Sequence, residues 1–307
     1  ELRAMRTHSV RPQRAGVLCK GTLKDAYRIC LWSRLASRVL YTIGDVSASS
    51  AEALYEDIKA LEWEEHLSAN GTFIVQTTGT NDELRNTQFT NVKIKDAIAD
   101  RFRELFDRRP SIDTVAPDIV LNVLIRGDKA RLSIDISGEP LHRRGYRQEG
   151  LQVAAPMKET LAAAMLMIAE WPRIAREGGA FVDFMCGSAT LPLEATLMAA
   201  DIAPGLLRKR WGFTKWQKHD EEAWEALLDE ARNRRKVGLA SLPPILGSDF
   251  DARAIDIARR CVRRAQLDPY ISLQRLDMRA ALPPVGETKG LVALNPPYGE
   301  RLASTDE

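Results

Sequence analysis

The sequence contains few of the residues that build disulfide frameworks and metal centres. Its four cysteines, Cys19, Cys30, Cys186 and Cys261, form no CxxC pair, and its four histidines are equally dispersed. Scattered cysteines are typical of proteins from a reducing compartment, and scattered histidines do not have the ligand spacing of a metal site. We therefore expect a cytoplasmic protein that has no metal centre.

Long apolar runs are also missing. No stretch approaches the roughly 20 apolar residues of a membrane span, and no secretory signal pattern opens the chain. Apolar residues make up 45% of the chain and charged residues 28%, as in soluble globular proteins. The net charge of +2 is too small to indicate a polyanionic partner, so only a local cluster of cations could do so.

The 307 residues are enough for two domains with a full-sized core. The chain begins without Met and ends soon after Tyr298, so we expect it to be a fragment of something longer.

The first half alternates helices and strands. Apolar periodicity predicts helices over 23–39, 50–61 and 88–106, and strands over 71–77, 118–125 and 130–136. The strands at 118–125 and 130–136 are separated by a short polar turn, which favours a hairpin. In the third helix the residues expected to face the core are Val92, Ile94, Ile98, Phe102 and Leu105. Because no glycine-rich phosphate loop interrupts this pattern, it indicates an α+β binding module.

A basic cluster follows this module. Arg143, Arg144, Tyr146 and Arg147 surround Gly145. Guanidinium groups suit phosphate, and a tyrosine ring can stack on an unpaired base, so the cluster is a candidate RNA contact. A solvated basic linker is the open alternative.

In the second half, polar residues end successive predicted strands. A helix over 156–170, with Leu161, Met165 and Ile168 as its apolar stripe, precedes strands at 180–184, 244–249, 271–276 and 290–294. The corresponding strand ends are Asp183, Asp249, Asp277 and Asn295. If the strands are parallel, four hydrogen-bond acceptors lie along one edge of the sheet, where ligands of such sheets bind. Each acid could instead be a helix cap or a turn residue.

The loop after the first of these strands consists of small residues, 185–190, and a helix is predicted over 191–200. The free N–H groups at the start of such a helix form an anion site. For S-adenosylmethionine that anion would be the methionine carboxylate, and Asp183 could accept the ammonium group. In the next units, Asp249 would suit ribose hydroxyls and Asp277 an adenine amino group.

The tetrapeptide Asn295-Pro296-Pro297-Tyr298 is the most distinctive motif. The prolines stop the strand and form a rigid turn, because they have no backbone N–H for a ladder. The Asn295 side-chain oxygen and the Pro296 carbonyl could accept the hydrogens of an exocyclic amine, and Tyr298 could stack on its ring. The motif resembles the signature of methyltransferases that act on amino groups of adenine, guanine or glutamine. A structural turn with a buried Asn cap is the alternative.

Longer stretches resemble a more specific family. Residues 137–147 (SGEPLHRRGYR) resemble the end of a THUMP domain, an RNA-binding module. Three stretches resemble the THUMP-containing guanine-N2 methyltransferases, in particular the amino-terminal half of the bifunctional bacterial enzyme of 23S ribosomal RNA: 158–162 (KETLA), 181–195 (FVDFMCGSATLPLEA) and 294–301 (LNPPYGER). The family usually has proline at Phe184 and glycine at Ala189. If residue 189 requires a positive φ, alanine is strained there.

The resemblance implies three units: a partial ferredoxin-like subdomain at 1–45, a THUMP domain at 46–150, and an α/β Rossmann-like class I methyltransferase domain at 151–307, truncated at its C-terminal end. It implies S-adenosylmethionine as cofactor, N2 of a flipped guanine in structured 23S ribosomal RNA as acceptor, and fusion to a second methyltransferase in the full-length chain. Amino methylation of another substrate, such as tRNA guanine or DNA adenine, is one alternative. A non-catalytic RNA-binding protein is another, favoured by Ala189 and by the strands that the chain lacks.

The site residues implied by the strand ends and the resemblance fall into three groups. The cofactor-binding residues are Asp183, Cys186, Gly187, Ser188, Thr190, Asp249, Phe250, Asp277, Met278 and Asn295. The catalytic residues are Asn295, Pro296, Pro297 and Tyr298. The RNA-binding residues are Arg143, Arg144, Tyr146, Arg147 and Lys158.

An insertion at 206–237 supports two interpretations. Cations and aromatic residues interleave in 208–216 (RKRWGFTKW), as on RNA-contacting surfaces. Equally, its tryptophans could pack under a helix predicted over 221–236, as part of a lid.

Overall fold

Two larger β-sheets and one two-stranded sheet organise the residues that the structure describes. The computed structural model describes residues 1–147, 157–281 and 289–296. Its helices are α1 (Leu23–Trp32), α2 (Ala51–Ala60), α3 (Thr87–Phe106), α4 (Glu159–Ile168), α5 (Trp171–Arg176), α6 (Thr190–Ala199), α7 (Glu221–Gly238) and α8 (Ala252–Arg264). Its strands are β1 (His8–Gln13), β2 (Gly16–Lys20), β3 (Leu40–Ser47), β4 (Thr72–Thr78), β5 (Ser111–Ile112), β6 (Ile119–Arg126), β7 (Lys129–Asp135), β8 (Phe181–Asp183), β9 (Ile245–Asp249), β10 (Ser272–Arg275) and β11 (Leu291–Val292).

The first half is built on a mixed five-stranded sheet with the order β3-β7-β6-β4-β5. Every second residue of β6 from Ile119 to Ile125 is buried, the two-residue period of a strand with one face on a core. The predicted hairpin is confirmed, because β6 and β7 pair antiparallel with Arg126 opposite Lys129. Helices α2 and α3 pack against each other beside this sheet.

The orientation of α3 corrects part of the prediction. Ile94, Ile98 and Phe102 are buried, as expected from their spacing of four residues. Val92 is 47% exposed and Leu105 is 52% exposed, so both were wrongly placed in the core. Val92 lies on the side of the helix away from Ile94, and Leu105 lies in the last turn.

Helix α4 is shorter than predicted and buries a different face. Leu161 is 54% exposed and Ile168 is 84% exposed, so the predicted apolar stripe is wrong. The buried face is formed by Ala162, Ala163 and Leu166. This face packs against α6, and the small alanine side chains allow two helices to approach closely.

The sequence prediction missed the strands before α2. β1 and β2 form an antiparallel ribbon that is exposed along most of its length, and β3 contains Gly44 and has one buried residue, Val46. Neither pattern has the regular alternation that predicts a strand. Helix α1 begins at a capping box of Thr22 and Asp25 and ends at Trp32, because the next residue is extended. It is therefore shorter than the predicted helix.

The insertion at 206–237 packs its aromatic residues inside the protein. The ring centroids of Trp211 and Phe213 lie 5.3 and 4.9 Å from that of Trp224 in α7. Phe213 also lies 4.5 Å from Tyr27 of α1. The interpretation in which these rings pack against the helix is therefore right, and the rings do not form an RNA-contacting surface. The cluster joins the two halves of the chain.

Among the described helices, none combines the length and the apolar character needed to cross a bilayer. The described residues likewise contain no group of three or more His, Cys, Asp or Glu side chains placed to hold a metal ion.

Candidate functional site

The second half contains a four-stranded parallel sheet with the order β10-β9-β8-β11. The carboxyl ends of all four strands therefore meet at one edge. Asp183 and Asp249 are the last residues of β8 and β9, while Asp277 and Asn295 follow β10 and β11. The winding direction reverses beside β8, and such a reversal creates the crevice in which open α/β sheets bind ligands.

The loop between β8 and α6 is closed against β9. The N–H of Cys186 donates to the carbonyl of Ser248 at 2.9 Å, and the N–H of Gly187 donates to Oδ2 of Asp249 at 3.0 Å. Gly187 has a φ of +53°, and no atom lies within 4 Å of the position that a Cβ would occupy there. The loop thus leaves open space beside its glycine, room that a ligand at the start of α6 requires.

Ala189 ends this loop in the left-handed region, with φ +62° and ψ +32°. Its side chain is buried, and its N–H donates to the carbonyl of Cys186 at 2.7 Å. The positive φ on which the expected strain depended is therefore present. Alanine in this conformation costs roughly 1–2 kcal/mol, a cost that glycine does not carry because it has no Cβ.

Asp183 is a buried carboxyl group without a cationic partner among the described residues. It is 2% exposed, and its Oδ1 accepts from the N–H of Met185 at 3.0 Å. Burial raises its pKa to about 7, and the negative charge of Asp249 adds to this effect. A cation placed beside Asp183 would therefore be strongly favoured, because it would compensate the charge that burial disfavours.

Asp249 and Asp277 differ in their surroundings. Asp249 accepts from Gly187 at Oδ2 and from the N–H of Asp251 at Oδ1, both at 3.0 Å, and each oxygen keeps a second lone pair. Asp277 is exposed, and hydrogen bonds from Arg279 hold its pKa at about 2. In this arrangement Arg279 donates to both oxygens of the Asp277 carboxylate, the group that was expected to accept a hydrogen bond from the adenine amino group.

The remaining predicted cofactor residues lie around the same edge. Phe250 is 69% exposed and Met278 is 49% exposed, an unusual position for two apolar side chains. Ser188 and Thr190 are buried, with their hydroxyl oxygens 3.4 Å apart.

The tetrapeptide is described only in part. The N–H of Ala293 donates to the carbonyl of Val182 at 3.1 Å and so joins this segment to β8. Asn295 is then half-buried and Pro296 is exposed. Pro297 and Tyr298 lie outside the described residues.

The basic cluster after β7 requires a correction. Arg144 and Tyr146 are 1% and 0% exposed, so neither has the surface that an RNA contact needs. The Arg144 guanidinium faces Glu194 of α6, with Nε 3.3 Å from Oε1, and the Tyr146 hydroxyl donates to the same oxygen at 3.2 Å. Arg144 also donates to the carbonyl of Arg34 at 2.7 Å. These two residues therefore join the two halves of the chain.

Arg147 also points into the protein. Its Nη2 donates to Oγ1 of Thr190 and to the carbonyl of Met157, both at 2.5 Å. Its Nε lies 3.3 Å from Oε1 of Glu159. Burial raises the pKa of Glu159, and the positive charge of Arg147 offsets part of this rise. Arg147 thus connects the first half to the loop that was predicted to hold the cofactor. Arg143 and Lys158 are exposed.

Sequence reasoning missed the structural role of two further residues of this junction, Glu194 and Arg208, although Arg208 lay in the stretch 208–216 that was considered for RNA contact. The sequence placed Glu194 in the first turn of a helix, where an acid is ordinary. Arg208 donates at 2.8–2.9 Å to four backbone carbonyls between residues 137 and 143. No local pattern reveals either set of partners.

Comparisons with known protein families find the three expected units in the expected order along the chain. A family model described as an RMKL-like methyltransferase domain matches residues 144–307. A THUMP domain model matches 48–135, and a model described as the RlmL ferredoxin-like domain matches 1–40.

Individual proteins are similar over the whole chain. Ribosomal RNA large subunit methyltransferase K/L of Syntrophotalea carbinolica is 51% identical over 100% of this chain. The chain spans 43% of the length of that relative. A crystal structure from Listeria monocytogenes, described as a predicted N6-adenine-specific DNA methylase, is 32% identical with a TM-score of 0.85, covering 98% of this chain and 76% of that one. The structure of SMU.472, solved in complex with SAH, is 30% identical with a TM-score of 0.83, covering 99% of this chain and 78% of that one.

Proposed function

The chain belongs to the RMKL-like methyltransferase domain family, and from that premise we propose that it transfers a methyl group from S-adenosylmethionine to the exocyclic N2 of a guanine in 23S ribosomal RNA. The family supplies the class of reaction. The THUMP match and the similarity to a large-subunit ribosomal RNA methyltransferase support the RNA substrate. Guanine N2 comes from the resemblance of 294–301 to the guanine-N2 enzymes.

The observation that carries the proposal is the edge formed by β8, β9 and the loop between β8 and α6. Asp183 is buried, has a raised pKa and faces no described cation, so it suits the ammonium group of S-adenosylmethionine. The open space at Gly187 and the N–H groups at the start of α6 suit the methionine carboxylate. Asp249 retains acceptor capacity for ribose hydroxyls, and the exposed Phe250 and Met278 offer apolar contacts for an adenine ring.

S-adenosylmethionine would supply a methyl group that is already activated on a sulfonium, so the reaction needs no covalent enzyme intermediate. The protein then has to orient the acceptor amine. We assign this role to the Asn295 side-chain oxygen and the Pro296 carbonyl, which would accept the two amine hydrogens. We assign stacking of the flipped base to Tyr298. The first half and the exposed Arg143 and Lys158 would hold the RNA.

The test is methyl transfer from labelled S-adenosylmethionine to a 23S ribosomal RNA transcript by the full-length protein. Digestion to nucleosides and mass spectrometry should find the label in N2-methylguanosine. Label in another nucleoside would reject guanine N2 but keep RNA methylation. If the protein neither bound S-adenosylmethionine nor transferred a methyl group, the non-catalytic interpretation would be favoured.

A second candidate is methylation of N6 of adenine in DNA, favoured by the description of the Listeria monocytogenes structure. The same assay with a DNA duplex separates the two, since only this candidate predicts label in N6-methyladenine. The THUMP match supports RNA as the first choice.

A further inference from the structure

Helix α8 has a strongly basic outer face. Its buried side consists of apolar residues, while five arginines and one aspartate occupy the exposed side: Arg253, Asp256, Arg259, Arg260, Arg263 and Arg264. An outer helix face normally mixes both signs, as α7 does with its glutamates and arginines. The charge of α8 is therefore local, although the net charge of the chain is only +2.

The arginines of α8 form two rows. Arg259 and Arg263 lie 3.7 and 3.8 Å from the carboxylates of Asp256 and Asp268. Arg253, Arg260 and Arg264 are separated by seven and four residues, which at 3.6 residues per turn places them on one side of the helix. Within the described part of the chain, no acid lies within ion-pairing distance of these three. Their row is the one available to an external anion.

This row connects the cofactor edge to the junction between the two halves. Arg253 lies in the first turn of α8, two residues after the cap Asp251, which itself lies two residues after the end of β9. At the other end, Nη2 of Arg264 approaches the carbonyl of Gly145 at 3.5 Å. From the first turn to the last, the row extends about 16 Å along the helix.

Two further exposed cations continue the row beyond Gly145. Segments 136–145 and 207–212 run beside each other: a Cβ on Gly145 would lie 2.5 Å from the carbonyl oxygen of Leu207, and one on Gly138 would lie 2.9 Å from the nitrogen of Gly212. Lys209 and Arg210 lie between these two close contacts and are exposed. The backbone beneath them is held by Arg208 through the four carbonyls described above.

We propose that Arg253, Arg260 and Arg264, continued by Lys209 and Arg210, form a phosphate-binding face for the RNA substrate. The face leads an RNA strand from the junction of the two halves to the cofactor edge. It rests on the proposed function, because an RNA substrate must be held while one base enters the site. Phosphate is the fitting ligand, since the face presents five cations and, among the described residues, no acid lies within ion-pairing distance of the three arginines.

The test compares two triple variants of the full-length protein. Arg253→Gln, Arg260→Gln and Arg264→Gln together remove the row, and glutamine preserves helix propensity. The matched control replaces Arg176, Arg232 and Lys236, exposed cations on α5 and α7, with glutamine and changes the net charge by the same three units. Binding of a 23S ribosomal RNA transcript is measured by fluorescence anisotropy between 50 and 300 mM salt.

The slope of log K against log salt should become shallower by about 2–3 in the α8 variant and stay unchanged in the control, because each lost phosphate contact removes roughly 0.7–0.9 from the slope. Lysine at the same three positions should restore it. Unaltered slope and affinity in a folded α8 variant would overturn the face while leaving the proposed function intact. A wild-type protein that neither binds nor methylates the transcript would instead reject the proposed function.

Discussion

The N–H of Gly187 donates to Oδ2 of Asp249 at 3.0 Å, so a residue at the end of β9 holds the loop that follows β8. The same carboxylate accepts from the N–H of Asp251, the residue that caps α8. One side chain therefore orders the two loops that border the proposed cofactor site. Its proposed contribution to cofactor binding is therefore both a direct contact with the cofactor and the shape of the loop.

We expect Asp249→Ala to weaken S-adenosylmethionine binding by about 1–3 kcal/mol, because it strands two backbone donors and removes acceptors from the cofactor. Isothermal titration calorimetry measures the change. Asp229→Ala, which removes an exposed carboxylate of α7, is the matched control and should bind normally. Wild-type affinity in Asp249→Ala would remove this residue from the site.

The raised pKa of Asp183 predicts a pH dependence of stability. The folded state holds this proton up to pH about 7, whereas an unfolded aspartic acid releases it near its ordinary value of 3.8. The folded state thus binds more protons in this window, and the free energy of unfolding should fall as pH rises from about 4 to 7. Asp183→Asn should lose this part of the dependence in urea titrations. Identical pH profiles of the two proteins would contradict the raised pKa.

The same group predicts tighter cofactor binding at higher pH. A bound ammonium stabilises the ionised carboxylate, so binding below the pKa of Asp183 should release up to one proton. The affinity should therefore rise by up to about tenfold for each unit by which the pH rises toward that pKa. Calorimetry at pH 5.5 and 7.0 in buffers of different ionisation enthalpy measures both effects. A pH-independent dissociation constant would argue that Asp183 does not face the cofactor.

How far the sequence predicted this site depends on the range of each interaction. Asp251 caps α8 by accepting from the N–H of Arg253, and a contact of this kind can be predicted from the local sequence because a cap acts on the residues that directly follow it. The acids at the ends of β8 and β9 could be placed at one edge of the sheet from the local sequence, because each one ends a short run of residues predicted to be a strand. The burial of Arg144 could not be, since its partner Glu194 is 50 residues away and the pair forms only when α6 docks. A basic sequence pattern is the same whether the fold buries the side chain or exposes it.

Ala189→Gly should stabilise the protein. Relief of the left-handed strain is worth roughly 1–2 kcal/mol, and the greater freedom of unfolded glycine offsets roughly 0.5–1 of it. The two effects together leave a net gain of about 0–1.5 kcal/mol, which urea unfolding measures. Ala195→Gly, in the middle of α6, is the control and should lose about 1 kcal/mol or more. Equal losses in both variants would show that residue 189 is not strained.

Arg144 should matter for stability and not directly for RNA. Arg144→Met leaves Glu194 buried without its cation, and removal of one partner of a buried pair costs about 3–5 kcal/mol. Arg143→Met, one residue away and exposed, should change the free energy of unfolding by less than about 0.5 kcal/mol. Adding Glu194→Gln to Arg144→Met should recover part of the loss. A stable Arg144→Met protein with weakened RNA binding would contradict the structural role.

The last prediction concerns Asn295, where binding and chemistry should separate. Asn295→Ala removes the acceptor proposed for the guanine amine and leaves β11, Pro296 and Pro297 unchanged. RNA contacts are proposed to lie mostly in the first half and on the basic face, and much of the cofactor contact at Asp183 and Asp249. We therefore expect Asn295→Ala to abolish methyl transfer with little change in RNA affinity.

The loss should appear chiefly in the single-turnover rate at saturating cofactor, as expected for an interaction that matters most in the transition state. Tyr298→Phe should be mild, because stacking needs the ring and not the hydroxyl, and Tyr298→Ala should be severe. The measurement is single-turnover methylation of a 23S ribosomal RNA fragment by the full-length protein. Near-normal rates for Asn295→Ala would leave the motif as a structural turn, because a group that orients the attacking amine cannot be removed without slowing the transfer.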